Sequence, residues 1–225
     1  MVNNATETRG HFLQPDWVSS SYRERFESVR PHIAGKSVLD LGAGSGHHRD
    51  DWVHLLLQEH ASEVTGVELS PEFVDAARER GVELILGNAE EVRLGRTFDV
   101  VFAGELIEHL SCFSGFINTA RAHLEPGGRF IITTPNAFAV SNFVYRFGGR
   151  ARVHSEHTCW FCDDTLAHLV ERHGFRVESV DYLRHHTPCR VRRWAASAVR
   201  APLPDRLAHN TLLMVAELVD PLRPA

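Results

Sequence analysis

The chain has 225 residues, 43% of them hydrophobic, and a formal net charge of -5. That length and apolar fraction suit one globular α/β domain with a sizeable core, and the acidic balance argues against a protein that tracks nucleic-acid phosphates. No apolar run approaches the ~18 residues of a membrane span, and the polar stretch Met1–Gly10 has no signal-peptide core. A cytoplasmic protein is therefore expected, with its four cysteines reduced. Residues 1–15 read as a tail. A helix is predicted over Asp16–Ile33, where Trp17, Val18, Tyr22, Phe26, Val29 and Ile33 fall on one face and Asp16 can cap the start. It either packs on a sheet edge or caps a bound ligand. Residues 1–34 are thus a tail and cap helix ahead of a domain spanning 35–225.

Ser37–Leu41 reads as a strand that runs into Gly42-Ala43-Gly44-Ser45-Gly46, with a helix from about Ser45 to Gln58. Glycines spare a Cβ, so the backbone can turn at positive φ and lie against a ligand. A helix N-terminus just beyond would offer free N–H groups to an anion. The second strand, Glu63–Glu68, ends on an acid before Pro71 opens a helix. A carboxylate there can accept from both hydroxyls of a ribose, and its spacing beyond the glycines, roughly 20 residues or more, is that of a nucleoside-binding βαβ unit. Val82–Leu86 forms a third strand leading to Gly87-Asn88-Ala89-Glu90, where Asn88 can cap a turn. The fourth strand, Phe98–Ala103, is apolar as a central parallel strand should be. Ala103 and Gly104 leave room at its carboxyl end, where open α/β sheets bind ligands. Glu105, Glu108 and His109 share helical spacing, so a neighbouring carboxylate can raise the pKa of His109 and make it a general base, or the group ties down a loop.

A helix is expected over Ser111–Leu124, a sharp turn at Glu125-Pro126-Gly127-Gly128, and a strand over Arg129–Thr134, with Asn136 near the pocket. Residues 137–160 carry an apolar, aromatic insert broken by Gly148-Gly149-Arg150, which suits a wall for a substrate site. His154-Ser155-Glu156-His157-Thr158-Cys159-Trp160-Phe161-Cys162 gathers two histidines and two cysteines. The spacing H-x-x-H-x-C-x-x-C is tighter than structural zinc sites use, and no metal is expected. A helix over Asp163–Arg172 ends at Gly174, and a sixth strand covers Phe175–Leu183. A second variable insert, about 185–208, holds Arg190, Arg192, Arg193, Arg200 and Arg206 among Trp194, Val199 and Leu203. It is either a solvated face or a peripheral contact with an anionic substrate or membrane surface. A last strand covers Asn210–Leu218.

Strands alternating with helices over 37–183 give a doubly wound, mostly parallel sheet. Three strings carry a family resemblance: Asp40 with Gly42, Gly44 and Gly46; F-D-V-V-F-A-G-E-L-I-E-H-L over 98–110; and L-x-P-G-G at 124–128. The chain resembles the class I S-adenosylmethionine-dependent methyltransferases of the small-molecule type, and is similar over about residues 35–180 to the ubiquinone-biosynthesis O-methyltransferase group. The resemblance implies a Rossmann-like sheet of seven strands with the last one antiparallel. It implies S-adenosyl-L-methionine as cofactor and S-adenosyl-L-homocysteine as product. By that resemblance the cofactor is held by Asp40, Gly42, Ala43, Gly44, Gly46, Glu68, Leu69, Asn88, Ala89, Glu90, Ala103, Gly104 and Glu105. Asn88 stands where an aspartate is usual and would accept from the adenine amino group as a neutral amide. His109, His154 and His157 are the candidates for acceptor contact or proton removal. The implied reaction is methylation of a small-molecule acceptor, with oxygen ahead of nitrogen or carbon, in biosynthesis of a metabolite, sugar or lipid-linked precursor. No nucleic-acid partner and no stable membrane insertion are expected, and the chain is expected to be a monomer or homodimer. An NAD-dependent oxidoreductase fits less well, because His47 stands where the dinucleotide fingerprint needs its third glycine. A cofactor-binding protein without catalysis would share residues 35–100.

Overall fold

Period-two patterning sets the architecture. In β1 (Ser37–Leu41), Leu39 and Leu41 pack into one core cluster and Val38 into another, as alternate side chains of a strand must. In a computed structural model that describes residues 22–147, 153–183 and 203–219, seven strands form one sheet in the order β3-β2-β1-β4-β5-β7-β6. The others are β2 (Glu63–Glu68), β3 (Leu84–Leu86), β4 (Phe98–Gly104), β5 (Leu124–Pro135), β6 (Phe175–Leu183) and β7 (Thr211–Leu218). β1 through β5 pair in parallel, and β7 lies antiparallel between β5 and β6. The sheet is the doubly wound one expected, including its antiparallel last strand.

The helices are α1 (Tyr22–Ile33), α2 (Val53–His60), α3 (Pro71–Glu79), α4 (Phe113–Ala122), α5 (Val140–Phe147), α6 (Asp163–Glu171) and α7 (Asp205–Ala208). On one face, Phe116, Ile117 and Ala120 of α4 and Leu166 and Val170 of α6 cover Leu39, Val101, Phe130 and Met214. On the other, Phe26, Val29 and Ile33 of α1 and Leu56 and Leu57 of α2 cover Val38, Val100, Ile131 and Val215. α3 begins with Pro71 behind Ser70, whose hydroxyl accepts from Phe73 N.

Three expectations shift. The Glu125–Gly128 turn lies inside β5, where the register against β4 slips between Phe98 and Val100, and Gly127 takes φ 76°. The residues absorb an irregularity in the ladder. β3 is shorter than Val82–Leu86, and α4 starts two residues later than Ser111. The tail over 1–15, the start of the Asp16–Ile33 helix, the Gly148–Arg150 break, the arginine segment 190–200 and the chain end lie outside the described residues. Among the described residues no helix is long and apolar enough to cross a membrane.

A polar clamp ties β1 to β4. Asp99 Oδ2 accepts from Ser37 N and Ser37 Oγ, both at 2.8 Å, and Asp99 N donates back to Ser37 Oγ. The backbone N–H of Ser37, then its hydroxyl, hold the Asp99 carboxyl below its ordinary value. A depressed folded pKa stabilises above the unfolded value of about 3.9 and loses that contribution as pH falls through the folded one. Asp99→Ala is expected to lower stability by about 1–3 kcal/mol at neutral pH. In urea titrations the gap to the parent chain should narrow in acid, and a pH-independent gap would argue against the clamp.

Candidate functional site

The strand order turns between β1 and β4, and their carboxyl ends open the crevice in which doubly wound sheets bind ligands. β1 runs into a loop of turns over 42–51. Gly42 and Gly46 sit at φ 79° and 82°, where an L side chain costs roughly 1–2 kcal/mol. Gly42 N and Ala43 N both donate to Val67 O, which laces the loop to β2. The helix expected from Ser45 starts only at Val53. The buried indole of Trp52 donates to Ala43 O at 2.7 Å, and the guanidinium of Arg80 donates to His47 O and Arg49 O. Loop carbonyls are thus satisfied from outside, so a loop and not a helix start lies at the glycines.

Asp40 is buried at the end of β1. Its Oδ2 lies 2.8 Å from His54 Nδ1 in α2, and His54 Nε2 lies 3.4 Å from Gln58 Nε2. The amide nitrogen of Gln58 can only donate, so with that nitrogen facing the ring the network assigns the His54 proton to Nδ1. Gly66 makes room for the pair, since a Cβ there would stand 2.7 Å from His54 Cε1. Asp40 therefore ties strand to helix. It also lines an apolar recess with Tyr22, Phe26, Phe102 and Glu105.

A roomier cavity lies beside that recess and shares Gly42, Ser45, Gly104 and Glu105 with it. Glu68 ends β2 at 9% exposure. Its Oε2 accepts from Gly44 N at 2.8 Å and its Oε1 from Ser70 N at 2.9 Å. These bonds fix the carboxylate and leave lone pairs for a ligand's hydroxyls. Leu69, Asn88, Ala89, Gly104, Glu105 and His109 complete the expected lining. Asn88 Oδ1 accepts from Glu90 N, so the cap reading is realised as an Asx turn.

Other expected residues stand apart from this lining. Ala43 and Gly46 belong to the loop, and Ala103 lies buried in β4. Glu90 Oε1 instead accepts from Ser111 N and Cys112 N at 2.7 Å, pinning the start of α4. Ser45, Val67, Phe73, Gly87, Leu106, Leu110 and Glu156 line the cavity and escaped the sequence reading. Phe73, an exposed aromatic in the first turn after Pro71, was the available signal.

β4 ends in strain. Glu105 has φ 52°, in the left-handed region, and its N donates to Thr133 O at 2.9 Å. Such conformations persist where surrounding bonds force them, commonly at functional sites. Glu105 therefore does not share a helical turn with His109. Ile107–His109 form a separate 3-10 turn. Glu108 is buried and accepts from Thr134 Oγ1. Burial, then the charge of Glu105, push its pKa well up.

A strap crosses this turn. Thr158 N donates to Glu108 O at 2.8 Å, and Thr158 Oγ1 lies 3.1 Å from Glu108 O and 2.6 Å from Leu110 O. It brings His154 and His157 against His109. The ring centroids of His109 and His157 are 4.6 Å apart, and those of His109 and His154 are 5.8 Å apart. Burial, then His154, lowers the pKa of His109, while Glu156 opposes the shift. The increase expected from Glu105 or Glu108 is reversed, because burial and His154 outweigh the carboxylate that does reach His109, exposed Glu156 at 4.0 Å. Burial, then His109 and His154, lower His157 to about 4.

A parallel sheet turning at β1/β4, a three-glycine loop and a fixed acid ending β2 define a class I methyltransferase fold with its nucleoside-binding crevice. A profile described as a methyltransferase domain matches residues 14–180. The chain is 30% identical over 128 residues to a ubiquinone biosynthesis O-methyltransferase of Xanthomonas oryzae, covering 52% of each chain. It spans about half the length of the first curated relatives it matches. A solved S-adenosylmethionine-dependent methyltransferase of Mesorhizobium loti shares the fold, with a TM-score of 0.61 at 19% identity over 89% of this chain and 99% of that one. So does a glycopeptide N-methyltransferase complexed with sinefungin, with a TM-score of 0.60 at 20% identity over 88% and 93%. The chain belongs to the S-adenosylmethionine-dependent methyltransferase family.

The cradle fits that cofactor. A Cβ on Gly44 would stand 2.7 Å from Glu68 Oε2 and 2.8 Å from its Cγ, so this glycine exists to let the carboxylate in. Gly44→Ala is expected to displace Glu68 and weaken S-adenosylhomocysteine binding about tenfold, the loss of one hydrogen bond to a charged group. Calorimetric titration checks it, and an unchanged dissociation constant would separate Gly44 from the ligand.

Proposed function

We propose that the chain transfers a methyl group from S-adenosylmethionine to a hydroxyl oxygen of a small-molecule acceptor. The cofactor supplies an activated methyl on a sulfonium, so the protein's own work is binding, alignment and control of the acceptor's proton. Glu68 accepts from the ribose hydroxyls, Asn88 from the adenine amino group, and the Gly42–Gly46 loop lies along the amino-acid end. Gly104 leaves space beside strained Glu105, and such positioning supplies on the order of 7–11 kcal/mol to a transfer reaction.

The observation that carries oxygen as acceptor is the histidine cluster at the cavity rim. His109 lines the cavity, and His154 and His157 stand directly behind it. An alcohol or phenol must lose its proton on methylation, and this group of ring nitrogens stands at the rim where that proton would leave. The relatives named as O-methyltransferases of ubiquinone biosynthesis support the same reading. The acceptor is accordingly a phenol or alcohol intermediate of biosynthesis.

The test is a mass-spectrometric screen with S-adenosylmethionine against matched phenol and amine acceptors. Methyl ethers from the phenols are the expected product. Methylation confined to amines would move the reaction to nitrogen, and S-adenosylhomocysteine binding without turnover on any acceptor would leave a cofactor-binding protein.

A further inference from the structure

His109, His154 and His157 each offer a ring nitrogen, and these nitrogens all lie within 4.8 Å of one another. The cluster unites a 3-10 turn after β4 with a loop some 45 residues further along, and the bonds from Thr158 to Glu108 and Leu110 hold the two together. Nδ1 of His157 is buried and has no hydrogen-bond partner. A buried polar atom left unpaired costs about 1–3 kcal/mol unless something answers it. Glu156 Oε2 stands 4.0 Å from His109 Nδ1 and 3.8 Å from His154 Nδ1, a negative charge beside the group. None of this is needed to hold the cofactor, whose cradle lies on the glycine loop, Glu68 and Asn88.

We propose that His109, His154 and His157 form a binding site for one divalent transition-metal ion, open on the cavity side to the acceptor's hydroxyl oxygen. Three imidazoles and one open position are the ligand set of catalytic zinc, with Zn–N distances of about 2.0–2.1 Å. Nitrogens on a tetrahedral ion then stand roughly 3.4 Å apart, so metal binding would draw the present nitrogens, all within 4.8 Å of one another, closer by up to about 1.4 Å. Imidazole nitrogen suits zinc, cobalt or nickel, while magnesium and calcium prefer oxygen. The sequence hides the site, because His154 and His157 lie beside Cys159 and Cys162 and invite a local Cys/His reading, while the third ligand, His109, comes from a turn some 45 residues earlier in the chain.

The site deepens the reading above and rests on it for its role. An acceptor hydroxyl bound to the ion loses its proton to solvent water. An oxygen lone pair then forms the O–CH3 bond as the S–CH3 bond breaks, and the electron pair of that bond stays on sulfur. The acceptors favoured are phenols and enols, whose oxygens bind such ions well as anions.

The experiment is a Co2+ titration of untagged, metal-stripped full-length protein, followed by visible absorption and calorimetry. One equivalent of Co2+ is expected, with the absorption bands of a tetrahedral nitrogen site. His154→Ala and His157→Ala should each weaken it more than about 100-fold. Cys159→Ser with Cys162→Ser should leave it intact. S-adenosylhomocysteine titrated into the same variants should bind as in the parent chain, which shows that they fold. Absence of bound Co2+, binding indifferent to the histidines, or binding lost with the cysteines would each overturn the site. Failure of S-adenosylhomocysteine to bind the parent chain would instead overturn the cofactor reading, whatever the cobalt result.

Discussion

Glu68→Ala is expected to bind S-adenosylhomocysteine roughly ten- to hundred-fold more weakly than the parent chain, the equivalent of about 1.5–3 kcal/mol for a charge-assisted hydrogen bond. Two losses combine. The carboxylate proposed to meet the ribose hydroxyls is gone, and Gly44 N and Ser70 N lose the acceptors that fix the loop opposite. Glu68→Gln keeps an oxygen on one side and loses the charge, so it should fall between. Thermal unfolding of the unliganded variant separates ligand loss from loss of fold. An affinity equal to the parent's would remove Glu68 from the cofactor site.

Phe130→Ala is expected to destabilise the domain by about 3–5 kcal/mol, the range for emptying a buried aromatic site. Phe130 in β5 is fully buried. Its ring centroid lies 5.5 Å from Phe116 in α4 and 5.5 Å from Phe175 in β6. It therefore joins one helix layer to the far half of the sheet, and neighbouring strands on both sides prevent collapse of the cavity. Urea titration should show a lower midpoint at an unchanged slope. A loss below about 1 kcal/mol would mean that the three rings are not packed as one cluster.

Most of the sheet was legible because its signals are local. Alternating apolar residues, small residues at strand ends and Pro71 behind Ser70 act over a few positions, and β1, β2 and β6 begin and end where those signals put them. Glu68 was legible for a related reason: an acid at the carboxyl end of a strand, a fixed distance past a glycine turn, has its place set by the βαβ unit itself.

The errors share a cause as well. The start of α2 was misplaced because Trp52 finds its acceptor at Ala43 O, and Arg80 from α3's end takes the loop carbonyls. The electrostatics of His109 were misjudged because burial and the imidazole of His154, 45 residues away in sequence, decide its shift, and the acids nearer in sequence do not. The backbone role of Glu90 was not foreseen either, because its Oε1 accepts from two amides more than 20 residues away.

The sequence by itself determined the doubly wound sheet, the glycine loop and the acid that closes β2, because each depends on backbone geometry and side-chain period within one strand–turn–helix unit. Only the tertiary structure decided what stands at the rim of the cavity. Thr158 reaches across 50 residues to the carbonyl of Glu108, and that contact gathers three histidines into one cluster. Periodicity cannot encode it, since it arises from the packing of segments whose separation along the chain carries no information about their distance in space.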